Sequence, residues 1–406
     1  MVRLLIVEEA LKDRRGHWYE YNRAIVAEAR RRGVETTVLA HADLETDLRR
    51  ELGAKPFFPV TSWDGVYYHP LAWRRYLGIL RHNLLVARLV GTHLAEAGPY
   101  DVVLVPTVVL YHWLAWCWIA WRGKGRWFGR LVLTTRNNAG EYDPATRRYR
   151  FSSSARVLKW IVGSFRRPAR SGTVELASDS ARLAAQYEAQ CGVPFSVYPH
   201  PVDDDLDARR SRGRDASSPL TFGALGPPRF EKGSDLILEA ARMLRNQRLE
   251  RPVRFLIQWS GECHDPQGRR IVPGADVEGD PRVTLIASDL STGEYRERLK
   301  ECDVLLLPYR RAQYHARLSG VAVEAFRCGI PCICVSETWI SDSMALLGSG
   351  VAIEEESAEA LAEAIARMAA RYDEYAAAAD ERADAARQFH SAEAFVERLL
   401  RTGAAS

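Results

Sequence analysis

Short apolar runs alternate with helix-length segments along almost the whole chain, and this alternation limits the fold more than any other feature. Arg3 to Val7 predicts a first strand, Gly16 to Arg32 a helix and Thr36 to Leu39 a second strand. Asp101 to Val105 and Leu131 to Thr134 continue the series with a helix between them. Val174 to Ala177 and Phe195 to Tyr198 close the first half. Asp203 to Pro219, DDDLDARRSRGRDASSP, is charged and lacks apolar periodicity, so it reads as a linker. Alternation resumes with strands at Leu220 to Gly223, Val253 to Gln258, Val283 to Ile286 and Asp303 to Leu307. Helices are expected at Ser234 to Asn246 and Gly293 to Lys300, and three more run from Ala358 to Leu400. Strands alternating with helices predict parallel, doubly wound sheets. With 406 residues there is chain for two such domains.

Glu324 is the most informative single residue. It sits in Val321 to Arg327, where Val321, Ala325 and Cys328 form an i, i+4, i+7 stripe that Ala322 and Phe326 extend. A carboxylate on a helix with so little polar face is costly unless something binds it. The competing reading pairs it with Arg327 on an exposed face. Ser319 is placed to cap this helix. A second cluster is FGALGPPRFEKGSD, Phe222 to Asp235, a strand end followed by a Gly/Pro turn with Arg229 and Lys232. Ser234 reads as the cap of the next helix. Glycines let backbone approach a ligand, helix N-termini favour anions, and two cations suit a diphosphate. An ordinary turn with surface charges fits the residues equally well.

Several classes are excluded or disfavoured. The formal charge of +4 is too weak by itself to imply nucleic acid, and no nucleic-acid partner is expected, though the charge is compatible with phosphate-bearing or anionic-membrane partners. Seven cysteines without regular spacing suit a reducing compartment. The apolar run at the N-terminus is too short for a signal peptide, and no stretch approaches a membrane span. Val102 to Trp121 comes nearest and is broken by Pro106 and His112. No G-x-G-x-x-G follows the first strand, against a dinucleotide oxidoreductase. Cys263 and His264 have no second pair at zinc spacing. Glu8 and Glu9 end the first strand facing the expected cleft and read as solvated loop acids, with acceptor binding the alternative. The expected location is cytoplasmic. Leu110 to Phe128 carries five tryptophans beside Arg122, Lys124, Arg126 and Arg130, and Trp63, Tyr67, Tyr68, Trp73 and Tyr76 lie near Arg74 and Arg75. That pairing suits peripheral contact with the inner membrane face, or else aromatic packing in the first domain.

RFEKGSD and SGVAVEAFRCGIPCI together resemble the donor half of the GT-B glycosyltransferases, in particular the retaining family 4 type. Ser288 to Tyr309 resembles the segment leading into the Glu-Ala helix, RGHWYEYNRAIVAEARRRGVETTVL the acceptor-side loop and first helix, and Val174 to Asp203 the stretch joining the domains. The resemblance implies an α/β GT-B fold of two Rossmann-like domains facing across a cleft. Residues 1–200 would form the acceptor domain and 201–218 a linker. Residues 219–388 would form the donor domain, and 389–406 a helix crossing back to the first domain.

It also implies a hexosyltransferase that moves a sugar from a UDP- or GDP-sugar to a hydroxyl acceptor with retention. Arg229 and Lys232 would stabilise the departing diphosphate, and His17 would complete the catalytic set. Glu324 would bind the ribose, with Ser319, Gly320, Val321, Arg317 and Gly226 around the donor. Gly16, Arg136 and Asn137 would contact the acceptor. No metal and no cofactor beyond the nucleotide sugar is expected. Two departures stand out: Ala316 replaces a sugar-contacting Glu, and Thr134-Thr135-Arg136-Asn137-Asn138 lacks a motif His. The alternatives are a nucleotide-sugar epimerase or phosphorylase of this fold, or a non-catalytic scaffold.

Overall fold

The computed structural model describes residues 1–14, 17–63, 69, 71–109, 112–202 and 218–401. Tyr67, Tyr68, Gly16 and most of the Asp203 to Pro219 segment lie outside these. The chain divides into two units. Unit 1 comprises Met1–Asp143, Arg147–Asp203 and Ser391–Ser406, and unit 2 comprises Pro144–Thr146 and Asp204–His390.

Unit 1 is built on a seven-stranded sheet. Its spatial order is Ala54–Phe58, Glu35–His41, Arg3–Val7, Tyr100–Val105, Phe128–Thr135, Val174–Ser178 and Ser196–Val197. Every neighbouring pair is parallel. The six strands of unit 2 are ordered Val283–Ile286, Val253–Gln258, Leu220–Ala224, Val304–Leu307, Cys332–Val335 and Gly350–Ile353, again all parallel. In each unit the strand order reverses direction beside the first strand of that unit. Ligands of open parallel sheets bind at such points, beyond the carboxyl ends of the strands.

The inner strands are covered on both faces and read as largely apolar segments, whereas the edge strands Ala54–Phe58 and Val283–Ile286 are partly exposed. Leu4, Ile6, Val38, Leu104 and Val132 lie at the centre of the unit 1 core, and Phe222, Phe255, Leu306 and Ile333 at that of unit 2. Two elements depart from the sequence expectation. Ala54–Phe58 is an additional strand containing Pro56, tolerated because it lies at the sheet edge. Ala72–Ala97 is a 26-residue helix that periodicity does not announce. Trp73, Tyr76, Leu80 and Leu84 are exposed on it while Val86, Val90 and Leu94 are buried, so apolar residues lie on both faces.

Candidate functional site

In unit 2 the turn after Leu220–Ala224 meets the turn after Val304–Leu307. Gly226 has φ +96°, and its N–H donates to Gln258 Oε1 at 2.7 Å. Phe230–Lys232 forms one turn of 3₁₀ helix that Gly233 closes at φ +67°. A Cβ on Gly233 would meet the Pro308 carbonyl oxygen at 2.3 Å, so only glycine lets the two turns approach this closely. Gly233 therefore occupies the cap position of the Ser234–Met243 helix, correcting the assignment of Ser234. The Ser234 hydroxyl instead accepts from the Arg229 N–H at 3.0 Å.

Arg310, which the sequence did not single out, locks the turn. It donates to the Phe230 carbonyl at 3.0 Å and to Asp235 Oδ2 at 2.6 Å, and stacks 3.8 Å over the Phe230 ring. Lys232 lies beneath the turn, its Nζ 3.0 Å from where a Gly226 Cβ would stand and 5.9 Å from the Tyr309 ring centroid. It lines a small cavity with Gly226, Gln258, Trp259 and Tyr309. Burial lowers its pKa first, Arg229 and Arg317 add repulsion, and Glu231 only partly offsets them, leaving Lys232 at about 8. Glu231 Oε1 lies 3.5 Å from Arg229 and 3.4 Å from Arg317. One carboxylate thus faces three cations, an arrangement suited to a further anion.

Ser319 caps Gly320–Arg327 as expected, its side chain accepting from Ala322 N at 3.3 Å. Gly320 and Val321 form the first turn. Glu324 is half-buried rather than enclosed, and it accepts a hydrogen bond from the Tyr295 hydroxyl. Burial, then the charge and hydrogen bond of Glu324, raise the Tyr295 pKa well above its usual value, which keeps the phenol protonated. Arg327 is not an exposed partner for Glu324. It is fully buried and donates to the carbonyls of Arg387 and His390, tying this helix to Tyr372–Phe389. Ala316 is fully buried.

In unit 1, Arg136 bonds Asp179 Oδ2 at 3.1 Å and His200 Nδ1 at 3.3 Å, and sits 4.6 Å over the Tyr21 ring. The Asn137 carbonyl accepts from Tyr187 at 3.1 Å. His17 opens the His17–Arg31 helix, but its side chain and Gly16 lie outside the described residues. Glu8 and Glu9 are not solvated loop acids. Glu8 is 4% exposed, and burial, with Glu9 beside it, outweighs the Ala10 N–H and Arg136 to raise its pKa to about 8. Glu9 contacts His82 and His112, residues the sequence gave no reason to connect with it. Burial would raise the Glu9 pKa, but the two imidazoles and Ser62 outweigh it and hold the group below the usual range.

Residues 219–371 match the family model described as Glycosyl transferases group 1. No curated protein matches the chain in sequence. Among solved structures, sucrose-phosphate synthase from Thermosynechococcus elongatus matches at TM-score 0.64 and 15% identity, over 98% of this chain and 97% of that one. Anabaena HepE in complex with UDP matches at 0.66 and 15%, over 98% of each chain. WaaG, a glycosyltransferase involved in lipopolysaccharide biosynthesis, matches at 0.62 and 16%, over 99% of this chain and 100% of that one. The protein has the GT-B fold of these structures. More particularly, unit 2 carries a group 1 glycosyltransferase domain.

Proposed function

We propose that the protein transfers a hexose from a UDP- or GDP-sugar to a hydroxyl acceptor with retention of anomeric configuration, in polysaccharide, glycolipid or secondary-metabolite biosynthesis. The observation that carries this reading is the partly buried Lys232 ammonium beside Gly226, with Arg229 and Arg317 close enough to repel it. These three cations share one carboxylate, Glu231, so the cluster keeps a net positive charge that a further anion offsets. A diphosphate supplies that anion, and its negative charge grows as the bond to the sugar breaks. Arg229 and Lys232 then stabilise the leaving group more strongly than the bound donor, which is what acceleration requires. Ser319, Gly320 and Val321 supply backbone N–H groups for phosphate oxygens. Glu324 accepts from the ribose hydroxyls, with Tyr295 holding the carboxylate. Arg136, Asn137, Gly16 and His17 are assigned to the acceptor side.

The experiment is a panel of nucleotide sugars with mass-spectrometric detection of released nucleotide, and NMR of the product anomer. UDP-glucose is tried first, because HepE was solved with UDP-glucose. Release of nucleotide with retention is expected, and no binding of any donor overturns the reading. The buried Ala316 favours a second reading, a scaffold that binds a donor without turnover. Glu324→Ala is expected to weaken UDP or GDP binding about 10–100-fold with Tm nearly unchanged. Equal affinity would return Glu324 to a purely structural role.

We further infer that unit 1 meets an anionic bilayer at the periphery. Trp113 and Trp116 are core residues, whereas Trp118, Trp121 and Trp160 are exposed, Trp121 at 76% and Trp160 at 82%. They lie on Trp113–Gly123 and the adjoining Ser153–Gly163 helix, with Arg122, Arg156 and Lys159 nearby in sequence. Tryptophan beside cations suits the interfacial layer. Trp121→Ser/Trp160→Ser is expected to reduce co-sedimentation with phosphatidylglycerol vesicles severalfold. No wild-type sedimentation at low salt would overturn the inference.

A further inference from the structure

Glu9, His82 and His112 come from three separate segments of unit 1: the loop after Arg3–Val7, the middle of Ala72–Ala97, and the residue preceding Trp113–Gly123. Glu9 Oε2 lies 2.9 Å from His82 Nε2, and Glu9 Oε1 lies 3.5 Å from His112 Nδ1. The three donor atoms fall within 4.8 Å of one another, and the two imidazoles stack at 4.3 Å and 11°. All three side chains are largely buried, with 6%, 6% and 13% exposure for His82, His112 and Glu9.

Metal–nitrogen and metal–oxygen bonds of about 2.0–2.1 Å in a tetrahedron place ligand atoms about 3.3 Å apart. The two Glu9 separations, one from each carboxylate oxygen, lie on either side of that value, so a small shift of the carboxylate brings one oxygen and both nitrogens around an ion. The His112 ring faces Glu9 and stacks on His82. A cavity of about 20 Å³ adjoins the cluster, lined by Glu8, Glu9, Thr107 and His112 with Phe58 and Trp116. That is room for about one water molecule or ion. The Thr107 hydroxyl is buried there without a hydrogen-bond partner among the described residues. The Ser62 N–H donates to Glu9 Oε1 at 3.1 Å, the kind of outer contact that orients a ligating carboxylate.

We propose that Glu9, His82 and His112 bind one divalent transition-metal ion of the zinc class, with a fourth position open to the Thr107 cavity. Two imidazoles and one carboxylate are the donor set of open zinc sites, and are too nitrogen-rich for Mg²⁺ or Ca²⁺. The ion clamps the end of the first strand to two helices, beside the apolar contacts of Val7, Val86 and Trp116. It is distinct from the cations of unit 2 that face the diphosphate.

The test uses the full chain, stripped with chelator and titrated with Zn²⁺, Mg²⁺ and Co²⁺. One equivalent of Zn²⁺ is expected to bind and raise Tm, Mg²⁺ is expected to leave Tm unchanged, and Co²⁺ is expected to give the intense visible bands of four-coordinate cobalt. His112→Ala is expected to weaken Zn²⁺ binding at least tenfold and to abolish those bands. If Zn²⁺ binds wild type and His112→Ala alike, the ion sits elsewhere and the proposal fails. Should the variant not fold, the wild-type cobalt spectrum decides. Its absence means a metal-free hydrogen-bonded His–Glu–His network and overturns the site.

Discussion

Replacing Lys232 by methionine is expected to lower turnover about 10²–10³-fold, the usual loss when one preorganised charge-stabilising group is removed. The same change should leave the protein as stable at pH 7, or more so. The Lys232 pKa of about 8 lies below the ordinary lysine value of 10.5. Holding the ammonium charged in the folded protein therefore costs on the order of 3 kcal/mol at most, from about 1.4 kcal/mol per unit. That cost is fully present below pH 8 and disappears as pH rises from 8 to 10.5, where the unfolded chain binds more protons than the native one. A diphosphate prefers the charged form, so nucleotide affinity should fall as pH rises through 8. In Lys232→Met that fall should vanish. Turnover within threefold of wild type, together with a lowered Tm, would mean that Lys232 is a structural residue and that the leaving-group assignment is wrong.

The same site shows what a sequence can and cannot disclose. Strands at Arg3–Val7, Val253–Gln258 and Val304–Leu307 were legible because buried parallel strands are largely apolar runs between turn residues. The turn carrying Arg229 and Lys232 was legible because its glycines and cations fall within a dozen residues. Its conformation was not, since the need for Gly233 comes from Pro308, 75 positions away in the chain. Arg310 looked like one of many loop cations. Its role appears only when the sheet brings Phe230 and Asp235 alongside. In the sequence Arg327 stands out only as a candidate exposed partner of Glu324, on the narrow polar stripe of its helix. The Tyr372–Phe389 helix covers that stripe and turns the guanidinium into a clamp on backbone carbonyls. Glu9 and His82 are 73 residues apart, and no local pattern couples them. Local signals follow from periodicity and turn chemistry; side-chain clusters assembled by topology leave no trace in either.

The C-terminal helix Ala392–Leu400 provides the largest expected stability effect. Phe395, Val396 and Leu399 are fully buried in the unit 1 core. Phe395 lies 5.7 Å from Tyr21 in an edge-to-face arrangement and 5.2 Å from Tyr198. Ser391 caps the helix through Ala394 N at 3.0 Å, and Arg130 reaches the carbonyl of Arg401 at 2.9 Å. The chain thus returns from unit 2 to complete the core of unit 1. Phe395→Ala removes a large buried ring and should cost unit 1 about 3–5 kcal/mol. Truncation after His390 removes all three anchors and should unfold that unit. Two units make a single transition an unsafe assumption, so a unit-specific probe is needed. Tryptophan fluorescence is such a probe: nine of the eleven tryptophans lie in unit 1, Trp259 and Trp339 being the other two. Phe395→Ala should move the fluorescence midpoint to lower denaturant, while nucleotide binding by unit 2 survives in denaturant that unfolds unit 1. A fluorescence midpoint unchanged from wild type would mean that the helix does not belong to the unit 1 core, whatever its burial.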